Sequence, residues 1–327
     1  MAAIELVATN TLELLKGTVS FLTNAANFGT GNEWTLMRPA TVGDITDEAI
    51  LKGVGDGQDE IYIGFKLQAG AGTEQKDILL NGFAGFDEYL AWEEQPGAIN
   101  HEKLPTLPLT ENTRIVYWIS ANTSRVIIVA QLSTQYESAY LGFIKPVAVE
   151  RQYPYPMAIG GSYIEGSNWA NQTPGHSCFV NPGSDTFAGL GNLATSVVDS
   201  PTEQTSSLRL RRPDGSWRSA INKINKNNVE TATHFEHLSV WPQNTEPTNV
   251  LTVLDSTMTI ENIIMFPCLL YETYPAGVVG QFDGVYFVGN REDLSSKDII
   301  IHDSKPYMVF SNVFRRENDE YFVIEWF

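Results

Sequence analysis

One early segment of the chain carries the hydrophobic repeat of an amphipathic helix. In "NTLELLKGTVSFLTNAANF" the apolar residues recur every three or four positions, at Leu12, Leu15, Val19 and Leu22. This spacing places side chains on one face of an α-helix, and Asn10 or Thr11 just before the repeat suits the N-cap position. The pattern therefore predicts a helix that docks its apolar stripe on a sheet.

After this segment the repeat changes to two residues, which is typical of a half-buried strand. In "DEIYIGFKL" two isoleucines and Phe65 alternate with Tyr62, Gly64 and Lys66. The same pattern is expected in "TRIVYWIS" and "RVIIVAQLS", and the short polar "ANTS" between them predicts a hairpin. A further apolar run, "SAYLGFIKPVAV", ends at the proline-rich "RQYPYPMAIGGS".

The last third of the chain again has the pattern of strands. The segments are "IENIIMFPCLLYE", "DGVYFVG", "DIIIH", "PYMVFSNV" and "EYFVIEW", and a turn is predicted at Asp303, Ser304 and Lys305. In the final strand, alternation places Phe322, Ile324 and Trp326 on one face. We expect this strand to be held by its ladder and by the apolar face that it buries.

The middle of the chain differs, because it is rich in Gly, Ser, Asn, Thr and Pro and has few long apolar runs. The sequence therefore predicts a mainly β fold: a sandwich- or barrel-like β-rich body with one N-terminal helix and a loop-rich middle insertion. The predicted boundaries are 1–58 for the N-terminal helix and its connection, 59–164 and 262–327 for the body, and 165–261 for the insertion or subdomain.

Within the insertion, "SLRLRRPDGSWRSAI" predicts an exposed hairpin, since Pro213, Asp214 and Gly215 form a strong turn signal between two short arms. Its positive charges make it the one basic spot of the chain: Arg209, Arg211, Arg212 and Arg218. Arg and Trp are both enriched at protein contacts. An interface centred on Trp217 is therefore at least as well supported as an inert surface.

A second candidate contact lies in "RQYPYPMAIGGSY", where Tyr153, Tyr155 and Tyr163 alternate with prolines and glycines. These tyrosines could form an aromatic docking surface. The favoured alternative is a rigid crossover, in which the prolines restrict the backbone and the tyrosines cover the edge of a sheet.

The composition narrows the choice of partners. The chain has 21 Lys and Arg against 39 Asp and Glu, a formal net charge of -18, so most of its surface should repel nucleic acid and anionic membranes. With 43% hydrophobic and 18% charged residues it is expected to be globular. Neither a signal peptide nor a membrane span is predicted, because no basic segment precedes a long apolar core and no apolar run is long enough.

The two cysteines, Cys178 and Cys268, lack the neighbouring Cys or His ligands of a zinc site. We interpret both as small buried apolar residues, and a disulfide between them remains the alternative. So low a cysteine content favours assembly in a reducing compartment.

No strong signature of catalysis, metal binding or cofactor binding is found. His234 and His237 in "HFEH" have no third ligand nearby, and the glycines of "GVGDGQ" precede a strand rather than opening a helix after one. The adjacent Glu93 and Glu94 are expected to be solvated, and "HSC" at 176–178 has no supporting context. We therefore predict no catalytic residue, no metal and no cofactor.

Three long segments of the chain carry a resemblance to known proteins: "NGFAGFDEYLAWEEQPGAI", "RVIIVAQLSTQYESAYLGFIKPVAVERQYPYPMAIGG" and the closing "DGVYFVGN" with "DIIIHDSKPYMVFSNVFRRENDEYFVIEW". They are similar to a family of tailed-bacteriophage and prophage virion proteins. The likeness covers roughly residues 60–165 and 265–327. It implies a particle component of the tail, neck or baseplate, present in many copies or in a ring and assembled in the cytoplasm of the host bacterium. It supplies no catalytic residues.

Three function classes follow from these observations. The first is a non-enzymatic structural subunit that binds other virion proteins and further copies of itself, with no direct contact to nucleic acid and no membrane insertion. The second is a receptor- or glycan-binding module whose binding head is the middle third, with a host-surface glycan as ligand. A cell-wall-degrading enzyme is the least favoured, and it would need paired carboxylates in a cleft.

Overall fold

The computed structural model describes residues 1–56, 59–70, 72, 74–99, 104–147, 156–166, 179, 208–219, 238–241, 265–273, 276–288, 294–311 and 321–327. In these residues the fold is mainly β, with three sheets of which none is closed and two α-helices. The prediction of a mainly β fold is thus confirmed. Within the described residues, neither helix is long and apolar enough to cross a membrane.

The helices are α1 (Thr11–Leu22) and α2 (Ala25–Phe28). The strands, in chain order, are β1 (Ala2–Ala8), β2 (Thr35–Arg38), β3 (Glu48–Asp56), β4 (Asp59–Ala69), β5 (Gln75–Phe83), β6 (Pro105–Thr110), β7 (Ile115–Ala121), β8 (Arg125–Leu132), β9 (Gln135–Phe143), β10 (Lys145–Pro146), β11 (Met157–Gly161), β12 (Tyr163–Ile164), β13 (Leu208–Arg211), β14 (Trp217–Ser219), β15 (Leu238–Trp241), β16 (Met265–Thr273), β17 (Ala276–Val288), β18 (Ile299–His302), β19 (Lys305–Ser311) and β20 (Tyr321–Glu325).

These strands form three antiparallel sheets, each described by the order of its hydrogen-bonded neighbours. The central sheet has the order β1-β7-β8-β9-β11-β13-β14, and the front sheet has the order β12-β6-β5-β4-β3-β2. The C-terminal sheet has the order β15-β16-β17-β20-β19-β18, and β10 also pairs with β17.

The middle strands of the central sheet, β7, β8, β9 and β11, are buried on both faces. Because side chains alternate along a strand, Ile119 and Ile128 pack in one core together with the front sheet and α1. Their neighbours Trp118 and Ile127 pack in a second core with Phe282 and other residues of the C-terminal sheet. The central sheet therefore lies between the other two. The half-burial expected for "TRIVYWIS" and "RVIIVAQLS" is wrong, since a strand covered on both faces becomes a nearly continuous apolar run.

The predicted helix is confirmed as α1. The side chain of Asn10 caps it by accepting a 2.8 Å hydrogen bond from the backbone N–H of Glu13, which satisfies one of the free donors at a helix start. Leu15, Val19 and Leu22 are buried in the first core as the repeat predicted, whereas Leu12 is only partly buried.

Two turns predicted from local residues are also present. The segment 122–124 connects β7 to β8 in the predicted hairpin. At the other hairpin, Asp303 and Ser304 adopt left-handed φ angles of 48° and 62° between β18 and β19, the backbone that a tight antiparallel turn requires. Lys305, included in the predicted turn, already belongs to β19.

The final strand lies inside its sheet. β20 pairs with β17 on one side and with β19 on the other, and all five of its residues are buried. The predicted division of its faces is confirmed, since Phe322 and Ile324 join the second core while Tyr321 and Val323 join a third cluster on the opposite face.

Two regions contribute more strands than the sequence predicts. The segment 1–58 is expected to hold a helix and a connection, but it also contributes β1 to the central sheet and β2 and β3 to the front sheet. In the segment 165–261, the predicted hairpin is present as β13 and β14 of the central sheet, and the described part also supplies β15, which is not predicted, to the C-terminal sheet. These pieces are therefore continuous with the sheets of the body.

Candidate functional site

The arginine hairpin, residues 208–219, forms one margin of the central sheet. β13 pairs with β11, and β14 is the outermost strand of this sheet among the described residues. The predicted turn is present, with Gly215 at a left-handed φ of 85°. Asp214 fixes it by accepting hydrogen bonds from the backbone N–H and the hydroxyl of Ser216, at 2.9 and 2.6 Å.

The hairpin is less exposed than expected. Arg209 is completely buried, and Leu208 and Leu210 on either side of it belong to the second core. The expectation that all four arginines form one exposed basic spot is therefore wrong for Arg209. The other three, Arg211, Arg212 and Arg218, are partly buried next to an exposed turn, and burial lowers the pKa of the Arg211 guanidinium.

Trp217 binds within its own chain. Its indole Nε1–H donates a 2.8 Å hydrogen bond to the carbonyl oxygen of Gly97, and its ring packs against the first core. A Cβ atom on Gly82 would lie only 3.0 Å from this ring, so the absence of a side chain there leaves room for the indole. Trp217 thus attaches the hairpin to the front sheet and to the loop that follows β5, and only part of its surface is free to meet another molecule.

A second polar cluster joins three distant parts of the chain and was not predicted. The Arg125 side chain is fully buried, and its Nε lies 3.0 Å from Oδ2 of Asp283 in β17. Its Nη2 lies 3.4 Å from Oε2 of Glu325 in β20, and its Nη1 donates to the carbonyl oxygen of Ser120, at 3.1 Å. We call these residues the Arg125 network.

The network is completed at its margins by two exposed lysines. Lys145 Nζ lies 2.6 Å from Asp283 Oδ1, and Lys305 Nζ lies 2.7 Å from Glu325 Oε1. Gly284 adopts a left-handed φ of 72°, and any side chain at this position would collide with the Arg125 guanidinium. The guanidinium therefore occupies the space that a Cβ would take. Each buried charge has an opposite charge beside it, the condition under which burial is tolerated.

A third polar cluster consists of buried acids at the interface of the front and central sheets. Asp77 in β5 and Glu137 in β9 are 2% and 1% exposed. Burial raises the pKa of Asp77 to about 7, with a further rise from nearby Glu165. Burial also raises the pKa of Glu137 to about 8, and the neighbouring charge of Asp77 adds to the increase.

Few hydrogen bonds compensate these acids. Gln75 donates to Asp77 Oδ1 at 2.7 Å, and Glu137 Oε2 is buried without a hydrogen-bond partner. Both carboxyls are enclosed, so they differ from the open pair that a cell-wall-degrading enzyme would need. Within the described part of the chain, no group of three His, Cys, Asp or Glu side chains is placed to hold a metal ion.

The remaining predicted candidates are placed as follows. Glu93 forms an ion pair with Lys66, whose Nζ lies 5.7 Å from the centre of the Trp92 ring. Gly53 and Gly55 lie in β3. Cys268 is a free and fully buried thiol, which confirms its prediction as a buried apolar residue, and burial raises its pKa.

Tyr163 lies in β12, the strand that pairs with β6 at the edge of the front sheet. Other candidates fall outside the described residues, and they are Gly57, Tyr153, Tyr155, His176, Cys178, His234 and His237.

The sequence offered little to find the Arg125 network. Arg125 stands at the start of the apolar run "RVIIVAQL", where a lone charge beside a turn is normally solvated. Its acidic partners lie 158 and 200 residues away along the chain.

No family model matches the chain, and no curated protein matches its sequence.

Proposed function

We propose that the chain is a non-enzymatic structural subunit of a tailed-phage virion, in the tail, neck or baseplate, and that it acts through contacts between subunits. The proposal begins from the phrases similar to phage and prophage virion proteins. Its partners would be other virion proteins and further copies of the chain. The chain would be assembled in the host cytoplasm and become part of the particle.

The observation that carries the proposal is that the buried charges of the Arg125 network connect different sheets. Arg125, the first residue of β8, forms ion pairs with Asp283 in β17 and Glu325 in β20, so the most developed polar cluster among the described residues holds sheets together. Such ties between distant segments are compatible with a structural role. Within this proposal the body is sandwich-like rather than barrel-like, with its sheets stacked face to face.

Charge supports the same role. The chain carries a formal charge of -18, so copies packed side by side repel one another unless basic groups lie at the contacts. The partly buried arginines of the hairpin lie at the margin of the central sheet. We place a contact with an acidic neighbour there, because complementary charge orients and registers two partners.

The test is a phage that encodes this chain, with the gene removed and then supplied again on a plasmid. Without the protein, we expect particles that stop before complete assembly. With it, the protein should be present in purified particles at a fixed copy number. Complete and infectious particles that lack the chain would overturn the proposal. Complete particles that fail only to adsorb would favour the receptor- or glycan-binding module instead.

A further inference from the structure

β18 is the outermost strand of the C-terminal sheet among the described residues, where it pairs only with β19. Two of its apolar side chains point into solvent, since Ile299 is 47% exposed and Ile301 is 67% exposed. Soluble proteins usually protect an edge of this kind with charges, proline or a covering segment. An exposed apolar edge strand is therefore a place where another strand can bind.

The direction of the backbone groups along this edge follows from the ladder with β19. The N–H of Val309 donates to the carbonyl of Asp298, at 2.9 Å. Hydrogen-bonded pairs alternate along an antiparallel ladder, so the backbone groups of Ile300 and His302 face β19, as the carbonyl of Asp298 does. The N–H of Asp298 donates instead to the carbonyl of Ser295, at 3.1 Å. The N–H and C=O groups of Ile299 and Ile301 point away from the sheet, and they are the groups that an added strand would meet.

We propose that two copies of the chain pair through β18, antiparallel and about a two-fold axis at Ile300. In this register Ile299 of one copy lies opposite Ile301 of the other, and these two positions carry the outward-pointing groups. The C-terminal sheets of both copies then form one continuous sheet. Because the contact is isologous, each hydrogen bond and each side-chain pair away from the axis occurs twice, and the Ile300 pair on the axis occurs once.

The sequence of the strand fits a second copy better than an unrelated partner. With the axis at Ile300, the segment "DIIIH" is complementary to itself, and Asp298 of one copy lies opposite His302 of the other. Both side chains are exposed. An acid faces an imidazole at each end, and isoleucines face isoleucines between them. Such cross-strand pairs are the units that stabilise a sheet.

Neighbouring residues extend the apolar part of this contact. Ile301 pairs with Pro306, and the N–H of Trp326 donates to the carbonyl of Pro306, at 2.8 Å. The three side chains form a row across β18, β19 and the end of β20, and Trp326 is only partly buried. Pairing of the two edges would cover the exposed end of this row. The proposal concerns the isolated chain and does not depend on a role in a virion.

The first test is sedimentation velocity of the purified full-length chain over a range of concentrations, because so short an edge should give a weak, concentration-dependent dimer. Ile301→Pro removes an N–H that points away from β19. We expect this variant to remain monomeric and to melt as the wild type does, while the control Ile301→Val still forms dimers. A wild type that stays monomeric at every concentration, or a proline variant that is folded and forms dimers normally, would overturn the proposal.

The second test measures the register and holds even if the proline variant fails to fold. In the proposed dimer Ile300 faces its own copy in a non-hydrogen-bonded pair, where Cα atoms lie about 4.5 Å apart, within the range of a disulfide. Ile300→Cys should therefore give a covalent dimer on mild oxidation. Ile299→Cys faces an isoleucine and should not. Equal cross-linking of the two variants, or none with either, would contradict this register.

Discussion

The guanidinium of Arg125 and the carboxylate of Asp283 form a buried ion pair, with Nε and Oδ2 3.0 Å apart. The two residues are separated by 158 positions along the chain and come from two different sheets. Because Arg125 also reaches Glu325 in the last strand, one side chain connects the central sheet to two strands of the C-terminal sheet. This contact should therefore control whether the sheets stay together.

The first prediction is that Arg125→Met strongly destabilises the fold. The change leaves Asp283 and Glu325 without their buried partner, and removing one member of a buried pair typically costs about 3–5 kcal/mol. Urea denaturation of the purified protein measures the change in the free energy of unfolding.

Lys145→Gln is the matched control for this prediction, since it removes an exposed cation from the same carboxylate of Asp283. Exposed ion pairs are worth about 0–1 kcal/mol, so this variant should unfold close to the wild type. Equal losses for Arg125→Met and Lys145→Gln would show that the network does not act as the buried tie described above.

The second prediction concerns pH. Asp77 and Glu137 have raised pKa values in the folded chain, about 7 and about 8, so the folded state holds protons that the unfolded state has already released. The contribution of these two acids to stability is therefore fully present below the ordinary carboxyl pKa, near pH 4, and is lost as the pH rises through about 8. The melting temperature should fall between pH 5 and pH 8.

Substitution separates these two acids from the rest of the chain. Asp77→Asn and Glu137→Gln remove the titrating groups, so each variant should show a flatter pH dependence than the wild type. Asp214→Asn is the control, because hydrogen bonds from Ser216 lower the pKa of Asp214 and it stays ionised throughout this range. A wild-type melting temperature that rises between pH 5 and pH 8 would contradict the assignment.

The third prediction is that the C-terminal strand is essential to the fold. β20 is hydrogen-bonded on both sides, and its Phe322 and Val323 are fully buried in different clusters. A chain that ends at residue 314 should lose its cooperative melting transition and become insoluble. Val323→Asp should do the same, whereas Ile301→Val at the exposed edge should not. A soluble truncated chain with an unchanged melt would show that the body does not need β20.

Local features of this fold could be predicted because nearby residues determine them. Asn10 caps α1 by bonding three residues ahead, and the turn at 213–215 depends on the residues that form it. The strand β8 was also located, but its double burial was not. That property depends on the C-terminal sheet, whose strands β16 to β20 lie more than 130 positions later in the chain.

The candidate site was harder to predict for the same physical reason. The composition of the hairpin predicts a contact surface, but Trp217 donates a hydrogen bond to the carbonyl of Gly97, 120 residues earlier. No residue near Trp217 in the sequence predicts this bond. The position of Arg209 beside a turn predicts a surface charge, whereas its side chain is fully buried. β1 is not predicted, because the helical repeat directly after it is the stronger pattern in the first segment.

The fourth prediction is that Trp217 stabilises the fold of its own chain, apart from any role in docking. Trp217→Ala removes a partly buried ring from the first core and a hydrogen bond to Gly97, so we expect a loss of about 2–3 kcal/mol. Trp217→Phe keeps much of the packing and loses the hydrogen bond, a cost of about 1 kcal/mol. Both changes are measured by urea denaturation, and an alanine variant as stable as the wild type would show that the ring is not an anchor. A loss of particle assembly in Trp217→Ala is therefore not evidence of docking by itself.

The last prediction tests docking through the charges of the hairpin instead. Arg212→Glu with Arg218→Glu reverses two partly buried charges beside an exposed turn, so an acidic neighbour would be repelled. We expect incorporation into particles to fall at least about tenfold, which corresponds to roughly 1.4 kcal/mol. Arg114→Glu reverses a single charge at an exposed position before β7 and should be incorporated normally, and each single variant, Arg212→Glu and Arg218→Glu, is compared with it. Melting curves of all variants must first show that they are folded.

Salt provides an independent measurement of the same contact. Screening shortens the reach of charges to about 3 Å near 1 M salt, so binding of the wild type to its neighbour should weaken as salt rises, and the double variant should lose most of this dependence. Normal incorporation of the folded double variant would rule out docking through the hairpin. Complete particles that contain the double variant but fail to adsorb to cells would instead assign the arginines to a receptor contact, because assembly and adsorption are scored separately.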